Sequence, residues 1–241
     1  ASTVTLERIT VWNGYLNAPY SQGGGLLFTN NCDVTLRQCV VTNNLILAEW
    51  GNQGGGLYIN GGWLNVFDCV FVNDSVRKLS WDTYSYGGAI FAQGTAVTIT
   101  NTSFDGNWTW TRHNHSYGGA LYLGDGPAEI RNCRFRDNRA AVDGNADGPG
   151  RALGGAIFAT NTPSLLLEDC LFSSNRIPYF ENVFGIQRGG ALHLAGTASQ
   201  TVLRRCVLVR NGDLDDEFAD IYLGAGTLDM TNVLVAGSQG G

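Results

Sequence analysis

Apolar and polar residues alternate along short runs of this chain, and the runs recur in a fixed order. The stretch from Tyr117 to Asn138, YGGALYLGDGPAEIRNCRFRDN, holds a glycine pair, two alternating runs, a cysteine and a Phe-x-x-Asn. The order returns in GGGLYINGGWLNVFDCVFVND, YGGAIFAQGTAVTITNTSFDGN, LGGAIFATNTPSLLLEDCLFSSN and RGGALHLAGTASQTVLRRCVLVRN. Alternation of this kind is the period of a β-strand with one buried face.

Aligning the copies on the cysteine produces columns of similar residues. The cysteine column is Ile9, Cys39, Cys69, Thr102, Cys133, Cys170, Cys206 and Val233. The column two positions later is Val11, Val41, Phe71, Phe104, Phe135, Phe172, Leu208 and Val235. With a second run after the glycine pair, each copy predicts about three short strands, which is too little chain for a repeating βαβ unit. Copies that each expose an apolar face gain stability by stacking.

We therefore predict an all-β fold, a right-handed parallel β-helix (solenoid) of about eight coils, with long loops on one edge. Residues 1–241 would form a single domain, and the rod would be on the order of 40 Å long at the usual spacing between strands. A charge column supports this register, because Glu7 aligns with Arg37, and Glu168 falls between Arg131 and Arg204.

Two further repeat positions have structural explanations. The turn after each phenylalanine ends in asparagine, which tolerates the left-handed conformation and can hydrogen-bond to the next coil as a ladder. The ladder positions are Asn44, Asp74, Asn107, Asn138, Asn175 and Asn211. The glycine pair opens the next strand where a side chain would collide with the incoming turn.

The cysteines leave three interpretations open. Small buried apolar residues are the first, since five of the six cysteines share one inward column and cysteine is often buried. Disulfides between stacked neighbours such as Cys39 and Cys69, or Cys170 and Cys206, are the second. Metal binding is the third and the least favoured, because one cysteine per coil lacks the usual spacing of a zinc site.

Insertions between the ladder position and the next glycine pair vary in length and are rich in aromatic residues. Repeat proteins often bind partners through such loops. Beside them lies an outward column on the strand after the glycine pair, which includes Tyr58, Phe91, Tyr122 and Phe158. The candidate ligand-binding residues are Trp50, Trp81, Tyr84, Tyr86, Trp108, Trp110, Tyr117, Tyr58, Phe91, Tyr122 and Phe158. These rings could stack on sugars or seat a protein, or the loops could fold back and bury the column.

Composition and charge exclude several functions. The net charge of −6 argues against nucleic-acid binding, and no apolar run is long enough for a membrane span. His113 and His115 have no evident third metal ligand, and the acidic run DLDDEFAD is interpreted as a solvated loop. We expect no metal, no cofactor and no catalytic residue. Both chain ends interrupt a coil, which predicts a segment of a longer repeat protein, self-assembly, or neighbouring domains at open helix ends.

The motifs GGAI at Gly87 and Gly154, and GGAL at Gly118 and Gly189, with FDGN, FRDN and FSSN, resemble the repeat of chlamydial polymorphic membrane proteins. The resemblance covers most of the chain and implies an extracellular or cell-surface adhesin, with no catalytic residues to transfer. We therefore expect a non-enzymatic surface or assembly module that binds a glycan or protein partner. The alternative is a polysaccharide lyase or glycoside hydrolase, which needs converging carboxylates. Ice binding is disfavoured because the threonine column beginning at Thr5 breaks at Glu129.

Overall fold

The chain folds into a parallel β-solenoid. The computed structural model describes residues 2–48, 51–78, 84–112, 114–143, 150–178, 186–196, 199–212 and 220–237. Strands stack in five sheets, all strand pairs are parallel, and eight strands in each of two sheets correspond to about seven complete turns. The predicted β-helix is confirmed, with about seven turns where the repeat count predicted about eight coils.

The strands are numbered in chain order and grouped by sheet. Sheet A contains β1 (Thr3–Glu7), β5 (Asp33–Arg37), β10 (Trp63–Phe67), β15 (Ala96–Thr100), β20 (Ala128–Arg131), β25 (Ser164–Glu168), β29 (Gln200–Arg204) and β32 (Thr227–Thr231). Sheet B contains β2 (Thr10–Trp12), β6 (Val40–Thr42), β11 (Val70–Val72), β16 (Ser103–Asp105), β21 (Arg134–Arg136), β26 (Leu171–Ser173), β30 (Val207–Val209) and β33 (Leu234–Ala236). These two sheets flank the cysteine of each coil.

Three further sheets complete each coil. Sheet C contains β3 (Tyr15–Leu16), β7 (Leu45–Ala48), β12 (Ser75–Lys78), β17 (Trp108–Thr111) and β22 (Arg139–Val142). Sheet D contains β8 (Asn52–Gln53), β13 (Ser85–Tyr86), β18 (His115–Tyr117), β23 (Arg151–Leu153) and β27 (Ile186–Arg188). Sheet E contains β4 (Leu26–Phe28), β9 (Leu57–Asn60), β14 (Ile90–Gln93), β19 (Leu121–Gly124), β24 (Ile157–Thr160), β28 (Leu192–Ala195) and β31 (Ile221–Leu223).

Sheets C and D correct the prediction of about three strands per coil. The described parts of several insertions begin and end in strands, and the two sheets contact each other through inward side chains. Ser116 donates a hydrogen bond of 2.8 Å from its hydroxyl to Thr109 Oγ1, and Ser85 Oγ bonds the Trp110 carbonyl at 3.2 Å. We call this two-sheet projection the fin. Because strands satisfy their backbone groups by pairing between coils, long insertions that recur on every coil can stack as regular sheets.

The core lies inside sheets A, B and E. Phe71, Phe104, Phe135 and Phe172 are fully buried and form one stack, with neighbouring ring centroids 5.1, 4.8 and 4.7 Å apart. The cysteine column runs beside it, with Thr102 accepting a hydrogen bond from the Cys69 backbone at 3.3 Å. Burial of successive rings in continuous contact contributes to the hydrophobic stabilisation of the rod, together with the buried aliphatic side chains of the same cluster.

The register of the charge column is also confirmed. Glu7 pairs with Arg37, and Glu168 lies between Arg131 and Arg204 on neighbouring strands. Glu168 forms ion pairs with Arg131 and with Arg205, the latter at 2.9 Å. A shift by one residue would break this arrangement as well as turn the core residues outward.

Ladder residues hydrogen-bond from coil to coil as predicted. The left-handed backbone conformation, however, falls on the residue before each ladder position. Asn138 Nδ2 donates to Asn175 Oδ1 at 2.9 Å and to the Phe104 carbonyl at 2.8 Å. The positive φ falls on the residue before each ladder position, for example 55° at Asn43 and 54° at Asp137. The ladder side chains thus stay inside the coil, where they satisfy buried backbone groups.

Each glycine of the pair is required for a different reason. The first glycine is left-handed, with φ of 63° at Gly118. A Cβ on the second glycine, Gly119, would lie 2.2 Å from the Gly155 carbonyl oxygen and 2.5 Å from the Arg139 nitrogen. The collision predicted from the sequence is therefore confirmed, and it includes the coil stacked above.

Candidate functional site

The aromatic column on the outer face of sheet E is covered by the fin. Successive rings stack, with centroids 5.1 Å apart for Tyr58 and Phe91, 4.8 Å for Phe91 and Tyr122, and 5.5 Å for Tyr122 and Phe158. Tyr58 and Phe91 are each 5% exposed, and Phe158 is 8% exposed. The expectation that these three residues face a ligand is therefore corrected, and the alternative in which the insertions bury the column describes the structure.

Sheet D supplies the cover. The Tyr86 ring lies 5.8 Å from Phe91 and 5.0 Å from Tyr122, both edge-on, and the Tyr117 ring lies 4.7 Å from Phe158. Burial raises the pKa of Tyr117 and of Tyr122 to about 12. Aromatic contacts of this kind favour packing beyond the area that they bury. The slab between sheets D and E is thus a second hydrophobic layer outside the coil.

One edge of this slab remains accessible. Tyr84 is 39% exposed, and its ring stacks on His115 with centroids 4.9 Å apart. Burial, assisted by the charge of Arg151, lowers the pKa of His115 to about 4. The imidazole of His115 is therefore uncharged at neutral pH, and the rim formed by Tyr84 and His115 presents two stacked aromatic rings.

The other predicted aromatic residues fall in two places. Trp108 and Trp110 lie on β17 and face outward from sheet C, half-buried. Trp50 and Trp81 lie outside the described residues. The structure thus separates the candidates into the covered slab and its rim on one side of the fin, and the two tryptophans on the other.

Trp108 lines a groove of about 810 Å³ at the corner between sheets B and C. This size falls within the range of small-ligand sites. The lining residues are Asn43, Leu45, Val72, Asn73, Ser75, Arg77, Asp105, Gly106, Trp108, Arg136, Asp137 and Arg139. We refer to this surface as the groove. Its lining offers amides, guanidinium groups, carboxylates and one indole, which together suit a polar ligand.

Adjacent coils bring charged side chains together on one side of the groove. Asp105 is paired with Arg134 at 3.1 Å and with Arg136 at 3.2 Å, and Arg136 lies 3.8 Å from Asp137. Pairs of this kind hold side chains in place although they contribute little stability at a surface. The result is a fixed arrangement of two carboxylates about one guanidinium group.

On the other side, arginine and tryptophan pack together. The guanidinium carbon of Arg77 lies 4.6 Å from the centre of the Trp108 ring, a cation–π arrangement. Trp108 and Arg139 pair on neighbouring strands, and Arg139 is followed by Arg176 on the next coil. One face of the indole is therefore occupied by an arginine of the chain itself.

Apart from Trp108, the residues that line the groove were not predicted from the sequence as ligand contacts. Asn43, Asn73 and Asp137 directly precede the ladder positions, and Asp105 and Arg136 point outward from sheet B. The alignment of the repeats could have identified them, because equivalent outward positions on successive coils must be neighbours in the fold. Their chemistry changes from coil to coil, so no column identifies them by composition.

A metal site is found nowhere in the described part of the chain: no three histidine, cysteine or acidic residues cluster there. The six cysteines are free thiols, five of them buried and Cys32 half-buried. His113 and most of the acidic run, residues 213–219, lie outside the described residues. No helix in the described ranges has the length and hydropathy to cross a membrane.

These features define a class, a parallel β-solenoid with a lateral fin and a polar groove beside it. The family model described as "Right handed beta helix region" matches residues 1–240, and the chain belongs to that family. Comparisons with curated proteins and with solved structures found no match. The family therefore accounts for the fold, and the function has to be argued from the groove.

Proposed function

We propose that this chain is a non-enzymatic module of the cell surface or extracellular space, of adhesin type, that binds a glycan through the groove. The observation that carries the proposal is the groove itself, a long concave surface whose lining combines an indole with hydrogen-bonding side chains. Pockets that bind small molecules combine apolar or aromatic lining with a few placed polar groups. The repeat motifs that resemble those of chlamydial surface proteins support the same function. A protein segment is the second ligand considered for the groove.

The position of Trp108 gives the proposal a direct test. Replacing Trp108 by alanine removes the only aromatic side chain among the described residues that line the groove, and with it the surface on which Arg77 packs. We expect the affinity for oligosaccharides that bind the wild type on a glycan array to fall by about tenfold or more.

Trp63→Ala is the matched control, because this tryptophan is 59% exposed on sheet A, away from the groove. We expect this variant to keep its glycan signals. An array without any signal for the wild type would refute glycan binding, and equal losses in both variants would place the ligand elsewhere.

A polysaccharide lyase or hydrolase is the second candidate function, favoured by one observation. Asp105 and Asp137 lie on adjacent coils and both approach Arg136 Nε, at 3.2 and 3.8 Å. Glycoside hydrolysis uses two carboxylates that flank the scissile bond. Here both carboxylates approach the same guanidinium group, which leaves no open position between them, so we favour binding without cleavage.

The test is incubation of the protein with the oligosaccharides that it binds, followed by mass spectrometry. Products that disappear in Asp105→Asn and Asp137→Asn would establish the enzyme, and intact oligosaccharides would support the binding module.

Assembly at the helix ends is a further part of the proposal. In the last coil, Met230 and Val235 continue the inward columns of Leu203 and Leu208, and they are 53% and 46% exposed. Strand edges with exposed apolar residues favour pairing with further strands. A second copy of the chain stacked on this coil would continue the columns. Light scattering over a concentration series would detect self-association, which Val235→Lys should abolish.

A further inference from the structure

Arg77 and Arg139 are the two arginines nearest Trp108 in the groove, and neither forms an ion pair within the part of the chain that the structure describes. Asp137, which lines the same groove, acts on Arg139 by its charge without pairing with it. In contrast, Arg136 is paired with Asp105 a short distance away. The groove therefore has a neutralised side and a side that retains two positive charges.

A second positive charge, that of Arg176, lies beside Arg139. Arg176 occupies the equivalent position on the next coil, joined to Arg139 by a backbone bridge, and it too forms no ion pair in the described ranges. Burial and the neighbouring Arg176 lower the pKa of Arg139 from its ordinary value, against the opposing effect of the Asp137 carboxylate. Half-buried like charges repel each other, and a bound anion would relieve that repulsion.

Two donors in the same place also lack acceptors. Nε of Arg77 and Nε1 of Trp108 are buried and have no hydrogen-bond partner among the described residues. Unsatisfied buried donors are costly, and this part of the groove wall holds donors whose acceptors the described chain does not supply. The packing of Arg77 over the indole at 4.6 Å fixes its position without neutralising its charge.

From these observations we propose that the groove selects an anionic glycan, whose carboxylate or sulfate groups are held by Arg77 and Arg139 on either side of Trp108. The inference rests on the proposed function, because it names the class of glycan that the groove would bind. The protein as a whole carries a net charge of −6, so general attraction of polyanions would not produce this selectivity. Guanidinium groups are suited to carboxylate and sulfate because they donate paired hydrogen bonds.

The experiment compares oligosaccharides of equal length, one neutral, one built from uronates and one sulfated, by calorimetric titration at low and at physiological salt. We expect the acidic ligands to bind more tightly than the neutral one and to weaken as salt increases. Arg139→Gln and Arg77→Gln should each reduce the affinity for the acidic ligands by about tenfold or more, and reduce the affinity for the neutral ligand by a much smaller factor.

Arg37→Gln is the matched control. Arg37 packs over the Phe67 ring at 4.6 Å, the same arrangement as Arg77 on Trp108, but on sheet A. Equal affinity for neutral and acidic ligands, unaffected by Arg139→Gln, would overturn the anionic selectivity and leave glycan binding intact. If no oligosaccharide binds, the proposed function itself fails. The uronate and sulfated ligands distinguish which anionic group is preferred.

Discussion

One oxygen of the Asp74 carboxyl group accepts two hydrogen bonds from Asn44, and the other oxygen is buried without a hydrogen-bond partner in the described part of the chain. The Asn44 backbone nitrogen and its Nδ2 both donate to Asp74 Oδ1, at 2.9 and 2.8 Å. Asp74 Oδ2 occupies the place where other ladder residues have an amide nitrogen. In Asn107 that nitrogen donates to Asn138 Oδ1 and to the Phe71 carbonyl, both acceptors. An ionised Asp74 would therefore set a charged oxygen against acceptors in the core.

Replacing Asp74 by asparagine should stabilise the protein. The amide would restore the two donated hydrogen bonds of the ladder and remove a buried carboxyl group. We expect the free energy of unfolding at pH 8 to rise by about 1–3 kcal/mol, measured by urea denaturation. The reverse change, Asn138→Asp, should lower it by a similar amount. Stabilisation in both variants, or in neither, would show that the ladder does not require an amide at these positions.

The same carboxyl group predicts how stability changes with pH. Burial raises the pKa of Asp74 to about 7, against the opposing effect of the two hydrogen bonds from Asn44. The folded value exceeds that of the unfolded chain, near 3.9. The native state therefore binds the proton more tightly. Its contribution to stability is complete below about pH 4 and is lost as the pH rises through about 7.

The measurement is the difference in unfolding free energy between Asp74→Asn and the wild type across this range. The difference should grow with pH and level off above about pH 8, by at most on the order of 4 kcal/mol. The variant serves as the reference that cancels all other titrating groups. A difference that stays constant from pH 4 to pH 8 would show that the carboxyl group titrates normally.

Gly119 should tolerate no side chain. A Cβ there would lie 2.2 Å from the Gly155 carbonyl oxygen, a backbone atom of the next coil. We expect Gly119→Ala to destabilise the protein by about 3 kcal/mol or more, because two coils must separate to accept the methyl group. Gly94 is the control: it has a φ of 57° but open space around it. Gly94→Ala should cost about 1 kcal/mol. Equal losses would mean that coil spacing is adaptable.

Phe158 should matter for stability and not for ligand binding. It packs between Tyr117 and His193, with ring centroids at 4.7 and 5.2 Å. We expect Phe158→Ala to lower the unfolding free energy by about 3 kcal/mol while the folded variant keeps its glycan affinity. Tyr84→Ala, at the exposed rim, should cost less than about 1 kcal/mol. A loss of binding in Phe158→Ala under folding conditions would return this column to the list of ligand contacts.

The sequence predicted the solenoid well because inward columns obey one strict physical constraint. Phe104 and Phe135 must face the same interior, so their type persists from coil to coil and reveals the register. The ladder was recognised for the same reason. Its exact dihedrals were not, because sequence alone cannot distinguish whether Asn43 or Asn44 takes the left-handed conformation.

The fin and the groove were harder to predict. Strand β17 has the sequence WTWT, whereas its neighbour β22 on the next coil reads RAAV. The outward residues of these two strands differ in type from one coil to the next, so composition does not reveal that the strands are paired. The groove combines Asp105, Arg136 and Arg139 from two coils and two sheets. Only the turn between sheets B and C, whose angle no sequence pattern records, makes that surface concave.

Thiol titration distinguishes the remaining interpretations of the cysteine column. All six cysteines are free in the structure and five of them are buried, out of reach of a reagent. Burial also raises the pKa of Cys69 to about 11, whereas a hydrogen bond with Cys170 lowers the pKa of Cys133, so burial is the protection that the five share. We therefore expect the native protein, purified without reductant, to react with a thiol reagent at Cys32 alone, and the urea-unfolded protein to react at all six positions. Cys32→Ser should remove the native signal. Four reactive thiols or fewer after unfolding would mean that stacked neighbours such as Cys170 and Cys206 form a disulfide in the protein as purified.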